Sequence, residues 1–319
     1  MRIDRFDQKE KCSRVMIILK KLTIVIATYN RSRLLAETLE SLLSRIDEFE
    51  RFPDFEIIVV NNNSQDDTGA IVSSYLNQLP MLTVINELKQ GLSYARNTGI
   101  EFAKGEFIVF LDDDVELESG WIGQLLLPFD DPNIGVVGGR VMAYGMHSLP
   151  DWLPREYSYL ASVFDPADEP CELDKVMGAN FADRKEIFDS VGGFDSRLGR
   201  KGDKLLGGEE IELFIRIRNA GYKIFYTPYS TVLHKISNKL NADYIVNYAY
   251  WLGVSEAIID KAIVSKLKFY LKIIRSLFFP SSIYILQKIF VRNPASEMRY
   301  AIKLQYAKGY LAHSRELSK

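Results

Sequence analysis

Cysteine is nearly missing: there are two in 319 residues, Cys12 and Cys171, and the first lies in a polar leader. A disulfide framework or a thiolate zinc site needs more, so a reducing, cytoplasmic setting is expected. Long apolar runs are missing too. The longest stretch without a charge, Thr68 to Asn86, is broken by Ser, Asn, Gln and Pro, whereas a spanning helix takes about 20 apolar residues. The opening MRIDRFDQKEKCSRVMIILK is charged, and its short apolar stub runs into Lys21, which is not the pattern of a secretory signal. Nor is there an excess of base: 40 Lys and Arg against 42 Asp and Glu leave −2, which argues against a general nucleic-acid binder. No internal repeat or low-complexity segment stands out. Apolar residues at 47% and charged residues at 26% are the ordinary globular balance, excluding a disordered, collagen-like or coiled-coil chain.

What is present is an alternation of strand-like and helix-like patterns. LTIVIATY (22–29) reads as a buried strand, and Leu34, Leu35, Thr38, Leu39, Leu42, Leu43 and Ile46 form an apolar stripe at helical spacing. FEIIVV (55–60), LTVIN (82–86) and GEFIVFL (105–111) read as further strands, with helices over Thr68–Leu76 and Leu92–Ala103 between them. Continuous apolar strands separated by helices predict an α/β fold, a Rossmann-like, mostly parallel sheet with helices on both faces. In such sheets ligands bind at the carboxyl ends of the strands. Polar residues follow those ends here: Asn30-Arg31, Asn61-Asn62-Asn63 and Asp112-Asp113-Asp114.

From Ile134 the pattern changes. GVVGGRVMAY reads as a strand, a Pro-, Trp- and Tyr-rich stretch spans Leu149–Pro170, and a helix follows Gly207-Gly208 and ends at Gly221. Between Asp260 and Glu297 lie Lys261, Lys266, Lys268, Lys272, Arg275, Lys288 and Arg292, with no acidic residue and many interleaved aromatic and aliphatic ones. Such a tract fits either an anionic membrane surface or a helical packing element. The expected organisation is a leader at 1–21, a main domain at 22–240 divided near residue 114, and an amphipathic helical region at 241–319.

Five groups of residues could carry chemistry. Three carboxylates directly after a buried strand (Asp112, Asp113, Asp114) repel one another unless a cation sits among them; a divalent ion holding a diphosphate is one such cation, and an Asp-rich turn is the plain alternative. The turns ATYNR and NNN could offer groups to a phosphate or a base, or simply hold loops. Arg96, on a helix, could neutralise phosphate or be solvated. Glu209 and Glu210 open a helix, where the dipole favours acids anyway, yet one of them could be a general base. His234, after an apolar strand, could be structural or a metal ligand.

In this order, ATYNR (27–31), VVNNNSQDDT (59–68), GLSYARNTG (91–99), FLDDDVELESGWI (110–122), GANFADRKEIFDSVGGFD (178–195), GGEEIEL (207–213) and VLHK (232–235) resemble the inverting glycosyltransferases of family 2, which have the GT-A fold. The resemblance implies transfer of a sugar from a nucleoside-diphosphate sugar, UDP-sugar favoured, to a glycan or lipid-linked acceptor, with Mn2+ or Mg2+ as cofactor. It places Thr28, Tyr29, Asn30, Arg31, Asn61, Asn62, Arg96, Asp112 and Asp113 at the donor, and Asn61 stands where the family usually has an Asp. Asp114 and His234 would hold the metal. Glu210, or else Glu209, would be the catalytic base. Gly178, Ala179 and Asn180 would line the acceptor side together with Trp152. Trp121, Tyr157, Tyr159 and Phe164 could stack on sugar rings or pack a loop. The basic tract agrees with a peripheral position on the inner face of a membrane. The alternatives are a nucleotidyltransferase-like enzyme, disfavoured because ATYNRSRLL has no glycine, and a non-catalytic nucleotide-sugar binder.

Overall fold

Leu22–Thr28 (β1) carries LTIVIAT, and its side chains are buried almost without exception, as in a strand covered on both faces. In the computed structural model, which describes residues 21–49, 52, 54–146, 148–265, 268–274 and 293–316, this strand is central. It pairs in parallel with Glu56–Asn61 (β2) on one side and Phe107–Leu111 (β4) on the other, and Leu82–Asn86 (β3) extends the β2 edge. The order β3-β2-β1-β4 means that the chain leaves β1 in opposite directions, so a crevice opens beyond the carboxyl ends of β1 and β4.

Period-two alternation sends neighbouring residues to opposite faces. Ile24 and Ile26 pack under Ser32–Ser44 (α1), Thr68–Tyr75 (α2) and Trp121–Leu126 (α4), joining Leu35, Leu39, Val72 and Ile122. Val25 faces the other side with Ala95 of Leu92–Phe102 (α3), Ile187 of Lys185–Val191 (α5) and Leu213 of Glu209–Asn219 (α6). The arrangement is the expected α/β one, with helices on both faces of the sheet.

Beyond β4 the sheet becomes mixed. Asn180–Arg184 (β8) runs antiparallel to β4, and Ile134–Ala143 (β6) is antiparallel to β8 and parallel to Lys223–His234 (β9). Val115–Leu117 (β5) and Cys171–Leu173 (β7) pair antiparallel with β9. The strand pattern in the sequence did not reveal β5, β7 or β8: two are three residues long, and β8 carries Asn180, Asp183 and Arg184.

Ala242–Ile263 (α7) and Pro294–Glu316 (α8) form a helical pair running in the same direction: Val246 and Met298 line one groove near the two starts, and Tyr310 Oη donates to Asp260 further along. They touch backbone to backbone: a Cβ on Gly253 would lie 1.9 Å from the Tyr306 carbonyl oxygen, and one on Gly309 would lie 1.9 Å from that of Tyr250. α7 also belongs to the crevice, since Ser255 Oγ accepts the Gly207 N–H at 3.1 Å. Of the basic tract, Lys266, Arg275, Lys288 and Arg292 lie outside the described residues. Lys272 is ion-paired with Asp260 at 2.7 Å and Glu256 at 3.1 Å. Among the described residues no helix is long and apolar enough to cross a membrane.

Candidate active site

Asp112–Asp114 bridge β4 and β5. Two hydroxyls of α1 pin β5 in place: Thr38 Oγ1 donates to the Val115 carbonyl at 3.0 Å, and Ser41 Oγ accepts from Leu117 N–H at 2.8 Å. Antiparallel pairing then sets Val115 opposite His234, and the Lys235 N–H donates to the Asp114 carbonyl at 2.9 Å. This register brings His234 Nε2 to 2.6 Å from Asp114 Oδ1 and 3.8 Å from Asp112 Oδ2.

The donor set suits a divalent ion. His234 Nδ1 faces the Ser162 carbonyl at 3.2 Å; a carbonyl only accepts, so Nδ1 donates there and Nε2 is the ring nitrogen turned towards Asp114. Asp114 Oδ1 is buried, with His234 Nε2 its neighbour at 2.6 Å. Two carboxylates and an imidazole nitrogen, with donor atoms mutually within 4.8 Å, are a ligand set that a divalent ion can take up when Nε2 gives up its proton.

Protein cations flank this cluster. Arg31 Nη1 lies 2.9 Å from Asp113 Oδ1 and 3.0 Å from Asp114 Oδ2, and Asp113 chiefly holds its pKa above the usual arginine value. Lys239, almost fully buried, places Nζ 3.4 Å from Asp114 Oδ2. Burial pushes the Asp113 carboxyl up to about 6, against the pull of Arg31. Burial acts on Asp114 in the same sense, but His234, Lys239 and Arg31 outweigh it and hold that carboxyl below its usual range.

A second cluster lies at the amino end of α6. Gly208, at φ +82°, turns the chain so that Glu209 and Glu210 open the helix. Arg96 of α3 is 3% exposed. Its Nη1 contacts Glu209 Oε1 at 3.1 Å and Glu210 Oε1 at 2.8 Å. Its Nη2 donates to the Gly178 carbonyl at 3.0 Å and lies 3.5 Å from Asp112 Oδ1. Burial opposes the Arg96 charge, yet Glu210, Glu209 and Asp112 together hold its pKa above the usual value. Burial first, and Glu210 second, push the Glu209 carboxyl up to about 8. The two acids thus differ in setting: Glu209 is buried against Arg96, while the less buried Glu210 side chain borders the crevice on the other side of the same guanidinium. Residue 178 must be glycine for that, because a Cβ there would lie 1.7 Å from Glu210 Oε1.

Asp112 and Asp113 from the first cluster and Arg96, Glu209 and Glu210 from the second line one cavity of about 370 Å³, with Thr28, Tyr29, Arg31, Asn62, Gly178 and Ala179; Asp114 and His234 are not in its wall. Three of the residues expected at the donor also bond to protein groups. Asn30 Oδ1 accepts from Gln65 N–H at 2.7 Å, tying the β1 loop to the β2 loop. Asn61 Oδ1 accepts from Ser64 N–H and closes a turn. Asn62, although at the wall, spends its amide on the Glu87 and Lys89 carbonyls and the Gly91 N–H.

The expected acceptor residues divide. Gly178 and Ala179 border the cavity, whereas Asn180 is wholly buried and does not reach it: its Oδ1 accepts from Trp121 Nε1 at 2.8 Å, and its Nδ2 donates to the Ser230 carbonyl. Trp121, 1% exposed, is accordingly a core residue and cannot stack on a sugar. Trp152 lies apart, lining a shallow groove with Val246 and Met298. Of the other aromatics, Tyr159 and Phe164 border the main cavity, and Tyr157 packs with Leu153 and Leu160. Lys239, Arg200 and Tyr248 also line it without having been singled out in the sequence. Arg200 donates to Tyr244 Oη at 2.8 Å and lies over the Tyr248 ring. A lysine five residues after His234 carries no local pattern that would have flagged it.

A family model for glycosyl transferase family 2 matches residues 23–192, which contain the parallel half-sheet, Arg96, the three aspartates and Gly178. The chain belongs to glycosyl transferase family 2. This glycosyltransferase is 26% identical over 247 residues to the glucosyl-dolichyl phosphate glucuronosyltransferase of Haloferax volcanii, covering 75% of this chain and 77% of that one. It is 36% identical over 116 residues to the GalNAc(5)-diNAcBac-PP-undecaprenol beta-1,3-glucosyltransferase of Campylobacter jejuni, covering 33% of each. Its fold is similar to that of the mannosyltransferase PcManGT from Pyrobaculum calidifontis, solved in complex with GDP-Man and Mn2+. The TM-score is 0.64 at 16% identity, over 98% of this chain and 97% of that one.

Proposed function

We propose that this glycosyltransferase moves a sugar from a nucleoside-diphosphate sugar, UDP-sugar favoured, to a hydroxyl of a glycan or lipid-linked acceptor, with inversion and with a divalent ion. One observation carries the reading: Asp112, which could hold an ion together with Asp114 and His234, lines the same cavity as Glu210, with Arg96 between the two. The Mn2+ held by PcManGT supports the metal. The dolichyl phosphate and undecaprenol in the relatives' names support a lipid-linked acceptor in cell-envelope or polysaccharide synthesis.

Asp112, Asp114 and His234 would hold the ion, which supplies positive charge to a departing diphosphate. Arg31 and Arg96 add fixed positive charge on the same wall. Glu210 accepts the proton of the acceptor hydroxyl as its oxygen bonds to the anomeric carbon. The bond from that carbon to the phosphate oxygen breaks, and its electron pair leaves on the diphosphate. Attack from the face opposite the leaving group inverts the anomeric centre.

A thermal-shift panel of nucleotide sugars with and without Mn2+ or Mg2+ tests the donor and the metal together, since ligand binding to the folded state raises the melting point. Donors that raise it equally without metal would sink the metal reading, and a product with retained anomeric configuration by NMR would sink inversion. Peripheral attachment to the inner membrane face is the accompanying reading of the basic tract. Flotation with anionic vesicles should recover the full chain, and a variant with Lys261, Lys266, Lys268 and Lys288 changed to Gln should stay behind. Equal flotation of the two would remove the membrane reading.

A further inference from the structure

The Nε2 atom of His234, 2.6 Å from Asp114 Oδ1, has two claimants, a protein ammonium and a divalent ion. Its Nδ1 is occupied by the Ser162 carbonyl, so only Nε2 can accept a hydrogen bond or bind a metal. Lys239 Nζ lies 3.0 Å from that nitrogen and 3.4 Å from Asp114 Oδ2. An ion bridging Asp114 and His234 would need the same two side chains. One nitrogen cannot serve both, and an ammonium a few ångströms from a divalent ion is strongly repelled in a buried setting. Lys239 is 5% exposed, yet it borders the cavity that holds Arg31, Asp112 and Gly178, so its side chain has a polar space to turn into. Asp114 would keep Arg31 at 3.0 Å after such a turn.

We propose that Lys239 is a resident counter-cation that a divalent ion displaces from Asp114 and His234, and that the displaced ammonium binds the diphosphate of the donor in the cavity. The proposal rests on the metal reading above. It makes one lysine the coupling element between two ligands: the ion alone must compete with Lys239, whereas an added diphosphate gives the displaced charge a partner. Metal and nucleoside diphosphate therefore bind with positive cooperativity, and the coupling is reciprocal.

The test is Mn2+ binding to the full chain, followed by electron paramagnetic resonance and calorimetry, alone and with UDP or GDP. Lys239→Met and Lys239→Gln should each bind Mn2+ alone about tenfold more tightly than wild type, and the gain in Mn2+ affinity on adding nucleotide should shrink by a similar factor. Folded variants that bind Mn2+ alone no better than wild type would overturn the proposal. A measurement on the unaltered protein is independent of those variants. Acetylation of Lys239, mapped by mass spectrometry, should speed up with Mn2+ and slow again when UDP is added; a rate indifferent to both would also overturn it. Failure of the underlying reading looks different: wild type would bind no Mn2+, with or without nucleotide, that Asp112→Asn abolishes.

Discussion

Gly178 approaches Glu210 so closely that a Cβ on residue 178 would sit 1.7 Å from Glu210 Oε1 and 3.0 Å from Arg96 Nη2. The contact locks the carboxylate between a backbone and a buried guanidinium. Gly178→Ala should therefore leave a folded protein whose Glu210 is displaced. An ångström of misplacement at a reacting group costs on the order of 100-fold in rate, so turnover should fall by about that factor with nucleotide binding preserved. Near-normal turnover would mean that Glu210 does not act from this position.

Glu210→Gln keeps the shape and removes the base. General bases contribute roughly 10²- to 10⁴-fold, so kcat should drop within that range while the donor dissociation constant moves only a few-fold. Steady-state kinetics beside calorimetry separates the two, and a preserved kcat would transfer the role to another group.

The Glu209 carboxyl, at about 8 in the folded protein against an ordinary 4.5, makes a pH prediction. Between those values the folded state holds a proton that the unfolded chain has lost, so stability falls as pH rises through the window. Glu209→Gln removes that titration. Melting temperatures from pH 5 to 9 should show the variant gaining on wild type as pH increases; a constant gap would contradict the assignment.

Stripping divalent ions with EDTA should lower transfer by about 100-fold or more, with recovery on adding Mn2+ or Mg2+, because the developing diphosphate charge would lose its main stabiliser. Full activity in the chelator would refute metal dependence.

The crossing of α7 and α8 at Gly253 leaves no room for a methyl group. Gly253→Ala must push the helices apart, and overpacking of this kind costs about 1–3 kcal/mol. Urea denaturation should register that loss. Since Tyr248 and Leu252 of α7 line the cavity, donor affinity should weaken with it, whereas a purely peripheral helix pair would leave affinity untouched.

Local pattern carried much of this protein. The continuous apolar strands β1 to β4, the stripe of α1 and the polar residues at the strand ends are short-range properties, and periodicity writes them into consecutive residues. For the same reason the sequence alone determined the α/β class, the crevice edge and the candidate acids Asp112, Asp114, Glu209 and Glu210. Tertiary structure decided which polar side chains face the crevice and which are consumed inside the protein. Asn62 clamps a neighbouring loop, Asn180 satisfies the indole of Trp121, and Lys239 reaches Asp114 across 125 residues of chain. Each depends on a register or a packing contact, such as Val115 opposite His234, between segments far apart in sequence. No spacing within either segment encodes that distance.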